Sequence, residues 1–519
     1  MKRFLQTYDE SIEGVVHGFD RLILKGHIMH FYPSNNFYYF LAQENVQLKD
    51  FKTYVTRVTE DIKAHIKEIT SQTGCYFEYL RTTKISKEKI AERILSENPD
   101  KEGLLCVLSC VEPCTALTVR YNANTKKLEK KHEYRKCLQY YFYYHDREFG
   151  LMHVRFQTWF PFTIQIYLNG KEYLKKQLVK ANIPFTSYKN SITSVSNIAR
   201  AQQLADQLIK KKWTRVFDHF ARQVNSFLPR IEEIFGQHSY SWYIEQCEYA
   251  SDVLFKDRQT LEKIYPYFVE YASLCQMGEN IFTFFGRKVH HLCQGEAVSD
   301  RKHYWGQGFR VKFTLDKNSI KVYDKSNVLR IETTINNASA FKIRNPNPLG
   351  KKKWVPMGKN ISNLYRYAEV TRKCNERYLD SLAVVKHRGS LDKDIESLCH
   401  CQNAKLSKKS VKERRYSAFN PLKDFNCKFF NAVMNAAYTI RGFSTKQITK
   451  SLLALNAFAK QSTENPAKLR AKVGRLIAQL RAHKIVTKLP KTFRYRVTTH
   501  GQEVLSRILM FKKHDFKFC

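Results

Sequence analysis

The tightest constraint on this chain lies near its C-terminal end, where two apolar periods follow one another. Leu469, Val473, Leu476, Ile477 and Leu480 recur at helical spacing, so Ala467–His483 is expected to form a helix with one buried stripe. Its other side carries Lys468, Arg470, Lys472, Arg475, Gln479 and Arg481. Directly afterwards the period drops to two: Ile485–Lys488 and Phe493–Val497 alternate as short strands joined by Leu489–Thr492. Upstream, Gly442-Phe443-Ser444 precedes a segment whose stripe is Ile448, Leu452 and Leu453, with Ser444 placed to cap its free amides. Thr498-Thr499-His500-Gly501 opens a last helix. These elements close a core of their own, so a separate domain is expected over 418–519.

Helix, turn, helix and a hairpin ending in Thr-x-x-Gly resembles the winged helix-turn-helix modules of MarR-like regulators. The resemblance covers residues 440–511 and implies a DNA reader. The cationic face of Ala467–His483 would enter a major groove, where Lys meets phosphates and Arg pairs with guanine, while Arg494 and Arg496 would follow the backbone from the wing. A winged helix used for RNA or protein contacts is the competing use of the same shape.

Charge points to the same partner. Lys and Arg total 88 against 48 Asp and Glu, a net +40. Residues 401–519 alone hold 26 basic and 5 acidic side chains. Such an excess repels itself unless a polyanion is near, and nucleic acid, DNA before RNA, is the expected partner. No apolar run reaches membrane-spanning length, and the opening Met1–Glu10 turns polar too early for a secretory signal. A cytoplasmic, nucleoid-associated protein is therefore expected, with no membrane partner and with a homodimer allowed. The odd number of cysteines, 13, reads as reduced thiols. Cys106, Cys110 and Cys114 fall in an apolar run. Cys399-His400-Cys401 lacks the second pair that a zinc site needs.

The expected class is α+β: a mixed α/β body over 1–190, a helical segment over 191–300, and a β-hairpin block with a long helix over 301–400. A basic linker over 401–417 and the winged helix follow. In the body, Phe19–Met29 reads as a strand or strand pair, and Gly103–Val111, Ala116–Tyr121, Arg135–Tyr144, Leu151–Phe160 and Thr163–Leu168 read as strands. Leu48–Thr70 and Lys87–Leu95 read as helices, the latter opened by Ser86. Trp242–Phe255 fits helix and strand equally.

Three constellations carry candidate chemistry. Around a four-residue polar turn between Tyr323 and Val328, alternation places Lys321, Tyr323, Arg330 and Glu332 on one hairpin face. A tyrosine nucleophile, two cations and a carboxylate could hold and cut a phosphodiester. The string resembles the "YDK…LR-E" stretch of phage and plasmid replication initiators; an amphipathic hairpin with cross-strand salt bridges explains the same letters. On Leu151–Phe160, His153, Arg155, Gln157 and Trp159 share a face suited to a metal or to a stacked single strand. Finally, Asp20 and Glu112 at strand ends, with Glu332 and Asp252, could gather divalent Mg or Mn as in RNase H-like nucleases and transposases. No Walker loop, GxSxG elbow or HExxH motif is present.

The chain as a whole is similar to bacterial mobile-element proteins that end in such a module. This implies a transposase-, initiator- or nuclease-like enzyme, a metal-dependent DNA endonuclease or strand transferase, with the winged helix selecting the site. A non-enzymatic winged-helix regulator and an RNA-binding or RNA-guided component are the alternatives.

Overall fold

The computed structural model describes all residues except 189, 237–239, 275, 277, 288–296, 305–307, 347–351, 384, 386–397, 405–412, 422, 436–437, 439–441, 456–465, 491 and 516–519. The chain forms an α+β protein of two compact units, each assembled from separated segments. Residues 14–254 and 332–372 make one; 1–13, 255–331 and 373–519 make the other.

The first unit is built on strands β1 (Ile12–Ile28), β2 (Tyr76–Tyr79), β3 (Gly103–Asn122), β4 (Lys127–Asp146), β5 (Gly150–Gln157) and β6 (Ile164–Asn169). A side hairpin, β7 (Phe185–Tyr188) with β8 (Ser191–Val195), precedes β9 (Tyr240–Phe255). The sheet order is β9-β1-β6-β5-β4-β3-β2. Neighbours from β1 to β3 pair antiparallel, and β2 joins β3 in parallel. Register explains the core. Leu24 faces Ile166, Ile166 faces Val154, Val154 faces Phe142 and Phe142 faces Val107, a buried apolar row across five strands. The next row, on the opposite face, runs Ile23, Tyr167, His153, Tyr143 and Cys106. Over that face lies helix Lys87–Glu97, capped by the Ser86 hydroxyl, which accepts from the Lys89 amide at 3.4 Å. Its Ala91 and Ile94 pack on Cys106, Leu108, Tyr141 and Tyr143.

Two local features position the site described below. Helix Gly170–Lys180 starts where Asn169 Oδ1 accepts from the amides of Lys171 and Glu172. Its first residue must be glycine, because a Cβ there would lie 2.4 Å from the carbonyl oxygen of Phe19 in β1. The helix start is thereby pressed against β1 beside Asp20.

In the second unit, β10 (Ala297–Tyr304), β11 (Gly308–Leu315), β12 (Asn318–Lys325) and β13 (Val328–Ile335) follow in order, the last strand carrying Glu332 onward into the first unit. The turn between β12 and β13 is two residues, Ser326-Asn327, with Ser326 at φ 57°. The wet face expected for this hairpin is absent: Tyr323 is 6% exposed, Arg330 0% and Glu332 2%. The short pair β14 (Lys342–Pro346) with β15 (Lys352–Pro356) belongs to the first unit, and β16 (Gln402–Ala404) with β17 (Arg414–Tyr416) to the second. Of the basic linker, Lys408, Lys409 and Lys412 lie outside the described residues.

The C-terminal segment has helices Asp424–Val433, Thr445–Ala454, Pro466–Ala482 and Thr499–Asp515, with β18 (Val486–Lys488) paired to β19 (Tyr495–Val497). Ser444 caps the second helix in a reciprocal box: its hydroxyl accepts from the Gln447 amide, and Gln447 Oε1 accepts from the Ser444 amide at 2.9 Å. Phe443 and Tyr495 exchange backbone hydrogen bonds at 2.8 Å, tying helix entry to hairpin. Leu469, Val473, Ile477 and Leu480 join Ile448, Leu452, Ile485 and Val497 in one buried cluster, with Leu476 half-buried against it; Leu453, expected in the stripe, is 44% exposed instead.

Candidate metal centre

β1 and β9 are neighbours. His17 Nδ1 meets the Ser251 hydroxyl at 2.8 Å, Phe19 meets Tyr249 edge-on at 5.1 Å, and Gly26 is overlaid by Trp242. These contacts run in opposite senses along the two strands and put Asp20 level with Glu248. Glu332, from the β13 half that belongs to this unit, completes a group. Asp20, Glu248 and Glu332 each offer a carboxylate oxygen, and these atoms lie within 4.8 Å of one another. All three residues are buried.

Asp20 and Glu248 are steered by polar neighbours. Asn190 Nδ2 donates to both oxygens of Asp20 at 3.0 Å. Gln246 Nε2 donates to Glu248 at 2.9 Å and the Thr334 hydroxyl reaches it at 3.5 Å. Arg21 Nε stands 4.0 Å from Glu248, its guanidinium 5.7 Å from the centre of the Tyr167 ring. Burial works against the Arg21 charge, but Glu248 and Tyr167 outweigh it and keep the pKa above the ordinary arginine value. Three close carboxylates on strand backbones form an all-oxygen donor set of the kind that suits Mg²⁺ or Mn²⁺.

The expected acids thus part company. Asp20 and Glu332 are brought together. Glu112 is not in their group, and lies within the continuous strand β3 rather than at a strand end. Its carboxylate is held by Lys87 at 2.9 Å, Arg155 at 3.0 Å and the Tyr141 hydroxyl at 2.7 Å. Burial alone would raise the Glu112 carboxyl; Tyr141, Lys87 and Arg155 bring it below the usual range. Asp252 is engaged by Lys171 Nζ at 2.6 Å, both side chains being almost wholly buried. Glu248 escaped the sequence reading because it sits in Trp242–Phe255, whose buried run from Cys247 to Phe255 hides the strand period.

The other two constellations are structural in their immediate contacts. His153 stacks on Tyr167 at 5.1 Å, with Tyr143 at 5.0 Å. Burial first, then Arg155, Arg21 and Lys87, lowers its pKa to about 3, so the ring is neutral at ordinary pH. Gln157 donates to the carbonyls of Thr115 and Trp159, an amide spent on closing the sheet. Arg155 also lines an open cavity of 350 Å³ with Lys25, His27 and Tyr32. Tyr323, Lys321 and Arg330 belong to the second unit, where the Lys325 ammonium lies 5.3 Å from the centre of the Tyr323 ring. A tyrosine this enclosed does not present its hydroxyl to an outside strand.

In the C-terminal segment, Lys468, Arg470 and Arg475 are exposed as expected. Other cations and amides face inward. Lys472 lies over Phe425 at 5.5 Å and Arg481 over Tyr495 at 5.9 Å. Gln479 donates to the carbonyls of Ser417 and Ala418, and Arg494 to that of Gly442 at 2.7 Å. Ser444 is occupied by its cap, and Arg496 is half-buried on β19. Among the described residues no helix is long and apolar enough to cross a membrane. No family model, curated protein or solved structure matches the chain.

Proposed function

We propose that this protein is a metal-dependent DNA-processing enzyme of the endonuclease or strand-transferase class, with Asp20, Glu248 and Glu332 as its metal ligands. The grouping of these three buried carboxylates carries the reading. Two such charges 4.8 Å apart repel by about 3 kcal/mol even at an effective dielectric of about 20. A divalent cation held by these carboxylates would relieve that repulsion and would supply Lewis-acid chemistry for attack on a phosphodiester. Arg21 beside Glu248 offers a cation for a phosphate oxygen or for orienting the carboxylate. The net charge of +40 supports a polyanionic substrate.

The C-terminal segment reads as a winged helix that selects the DNA, with Lys468, Arg470 and Arg475 toward the groove. Its self-contained core also suits a second reading, a regulator without catalysis.

The test is calorimetric titration of Mn²⁺ and Mg²⁺ into the full chain, followed by incubation with a labelled DNA hairpin and an RNA of the same sequence. Metal binding lost in Glu248→Gln, with metal-dependent cleavage of the DNA, supports the enzyme. Duplex binding with neither metal uptake nor cleavage leaves the regulator, and a preference for the RNA moves the reading to an RNA-binding component.

A further inference from the structure

Strands β3 and β4 are 20 residues each, far longer than the sheet beside them requires. β2 pairs with β3 only over 106–109, and β5 with β4 only over 139–146. The last tie to the body along β3 is Leu117, whose amide donates to Phe160 O and whose carbonyl accepts from Trp159 Nε1. From Thr118↔Lys131 to Asn122↔Lys127 the two strands have ladder partners only in each other. This ribbon is roughly 17 Å long. Its root is braced by Lys130, whose ammonium donates to the carbonyls of Phe31 and Tyr32, and by Tyr32 stacked on His132 at 5.1 Å.

The ribbon and its root, residues 114–136, carry seven Lys and Arg against two Glu. Arg120, Lys126, Lys127, Lys131, Arg135 and Lys136 are exposed. Tyr134 is 80% and Tyr121 61% exposed. The tip, Ala123-Asn124-Thr125-Lys126, is polar and has no large apolar side chain to enter a bilayer.

We propose that this ribbon is a second nucleic-acid contact, which grips the phosphates of duplex DNA. A two-stranded ribbon fits the width of a major groove, and cations along both strands reach the phosphates on either side. The inference rests on the reading of the protein as DNA-binding and adds a contact outside the C-terminal segment. Lysines on an exposed ribbon have another physical use, which is to stop edge-to-edge association.

The experiment separates these uses. The full chain with Lys126, Lys127, Lys131 and Lys136 all changed to Gln is compared with wild type by fluorescence anisotropy on a 30-bp duplex of arbitrary sequence, from about 50 to 200 mM salt. Four lost phosphate contacts should flatten the slope of log K against log salt by roughly 3.6 and weaken binding by about 10–100-fold, with the melting temperature unchanged. The four Lys→Arg changes should restore both. Unchanged affinity and slope overturn the proposal, as does oligomerisation of the Gln variant with affinity retained, which assigns the lysines to edge protection. A wild-type chain that binds no duplex at any salt overturns the DNA-binding reading itself.

Discussion

Asp20 and Glu248 stand level on adjacent strands with carboxylate oxygens within 4.8 Å of each other, and no covalent or turn constraint forces them there. Two acids facing inward at the same height of a sheet are costly unless their charge is answered. Added Mn²⁺ or Mg²⁺ should therefore raise the melting temperature of the full chain. Ligand at 100 times its Kd contributes about 2.7 kcal/mol. Glu248→Gln should remove this metal-dependent rise while leaving a cooperative transition. Equal metal-induced shifts in variant and wild type, followed by scanning calorimetry, would rule out the centre.

Glu112 should behave in the opposite way. Its carboxylate answers Lys87, Arg155 and Tyr141, so Glu112→Gln leaves two cations facing each other beneath helix Lys87–Glu97. The expected loss is about 3 kcal/mol of stability, with metal uptake untouched. Its folded pKa lies below the unfolded value, so its contribution is complete above the unfolded pKa and fades as pH falls through the folded one. Metal affinity lowered by this change would place Glu112 in the centre after all.

How much of this was readable from letters depends on what each strand buries. β5 and β6 alternate cleanly, and their ends emerge from the sequence to within a few residues. β4 was read from Arg135 onward, but it starts at Lys127, because Lys127–Tyr134 lies on the ribbon and carries charge on both faces with no apolar period to reveal it. β9 failed for the converse reason, since both of its faces are covered from Cys247 onward. Hence Asp20 and Glu332 could be picked as acids on apolar strands, whereas Glu248 lay in a segment without a legible period. Tyr323 and Arg330 alternate as though one face were wet; only their burial in the folded chain shows otherwise.

His153 gives a pH signature. Its folded pKa of about 3 lies well below the ordinary histidine value, so the unfolded chain binds more protons between the two. Stability should then rise with pH across roughly pH 3 to 6.5. His17, lowered to about 3 by burial and by Arg372 and Lys171, adds to the same slope. His153→Phe keeps an aromatic ring against Tyr167 and Tyr143, so the melting temperature should fall less between pH 7 and pH 5 than in wild type. An unchanged difference would mean that the ring is protonated in the folded state.

Lys171 and Asp252 test whether the floor beside Asp20 is rigid. Their 2.6 Å pair is sealed from water at the start of the helix that Gly170 presses onto β1. Removing one partner breaks this ion pair in the interior, so Lys171→Met and Asp252→Asn should each cost about 3–5 kcal/mol, by urea unfolding. The double change Lys171→Met with Asp252→Asn should cost less than the sum of the two, because the ion pair is lost only once. Additive losses would show that the two side chains contribute separately rather than as a pair.

Helix Pro466–Ala482 carries both exposed cations and polar groups that hold neighbouring segments. Arg475 is exposed on Pro466–Ala482, whereas Gln479, one turn further on, spends its amide on the carbonyls of Ser417 and Ala418. Arg475→Ala should weaken duplex binding by about 1–3 kcal/mol if it meets a base edge, relaxing specificity at one position. A phosphate contact would instead lower the salt slope by about 1 without changing sequence preference. Gln479→Ala should cost about 1 kcal/mol of stability, since two hydrogen bonds to the preceding segment are lost while water can reach the freed carbonyls, and leave sequence preference as it was. The measurement is a binding series on duplexes with single base changes, run beside melting curves for both variants. Sequence preference altered by Gln479→Ala and untouched by Arg475→Ala would mean that the helix meets DNA through a different face from the one exposed here.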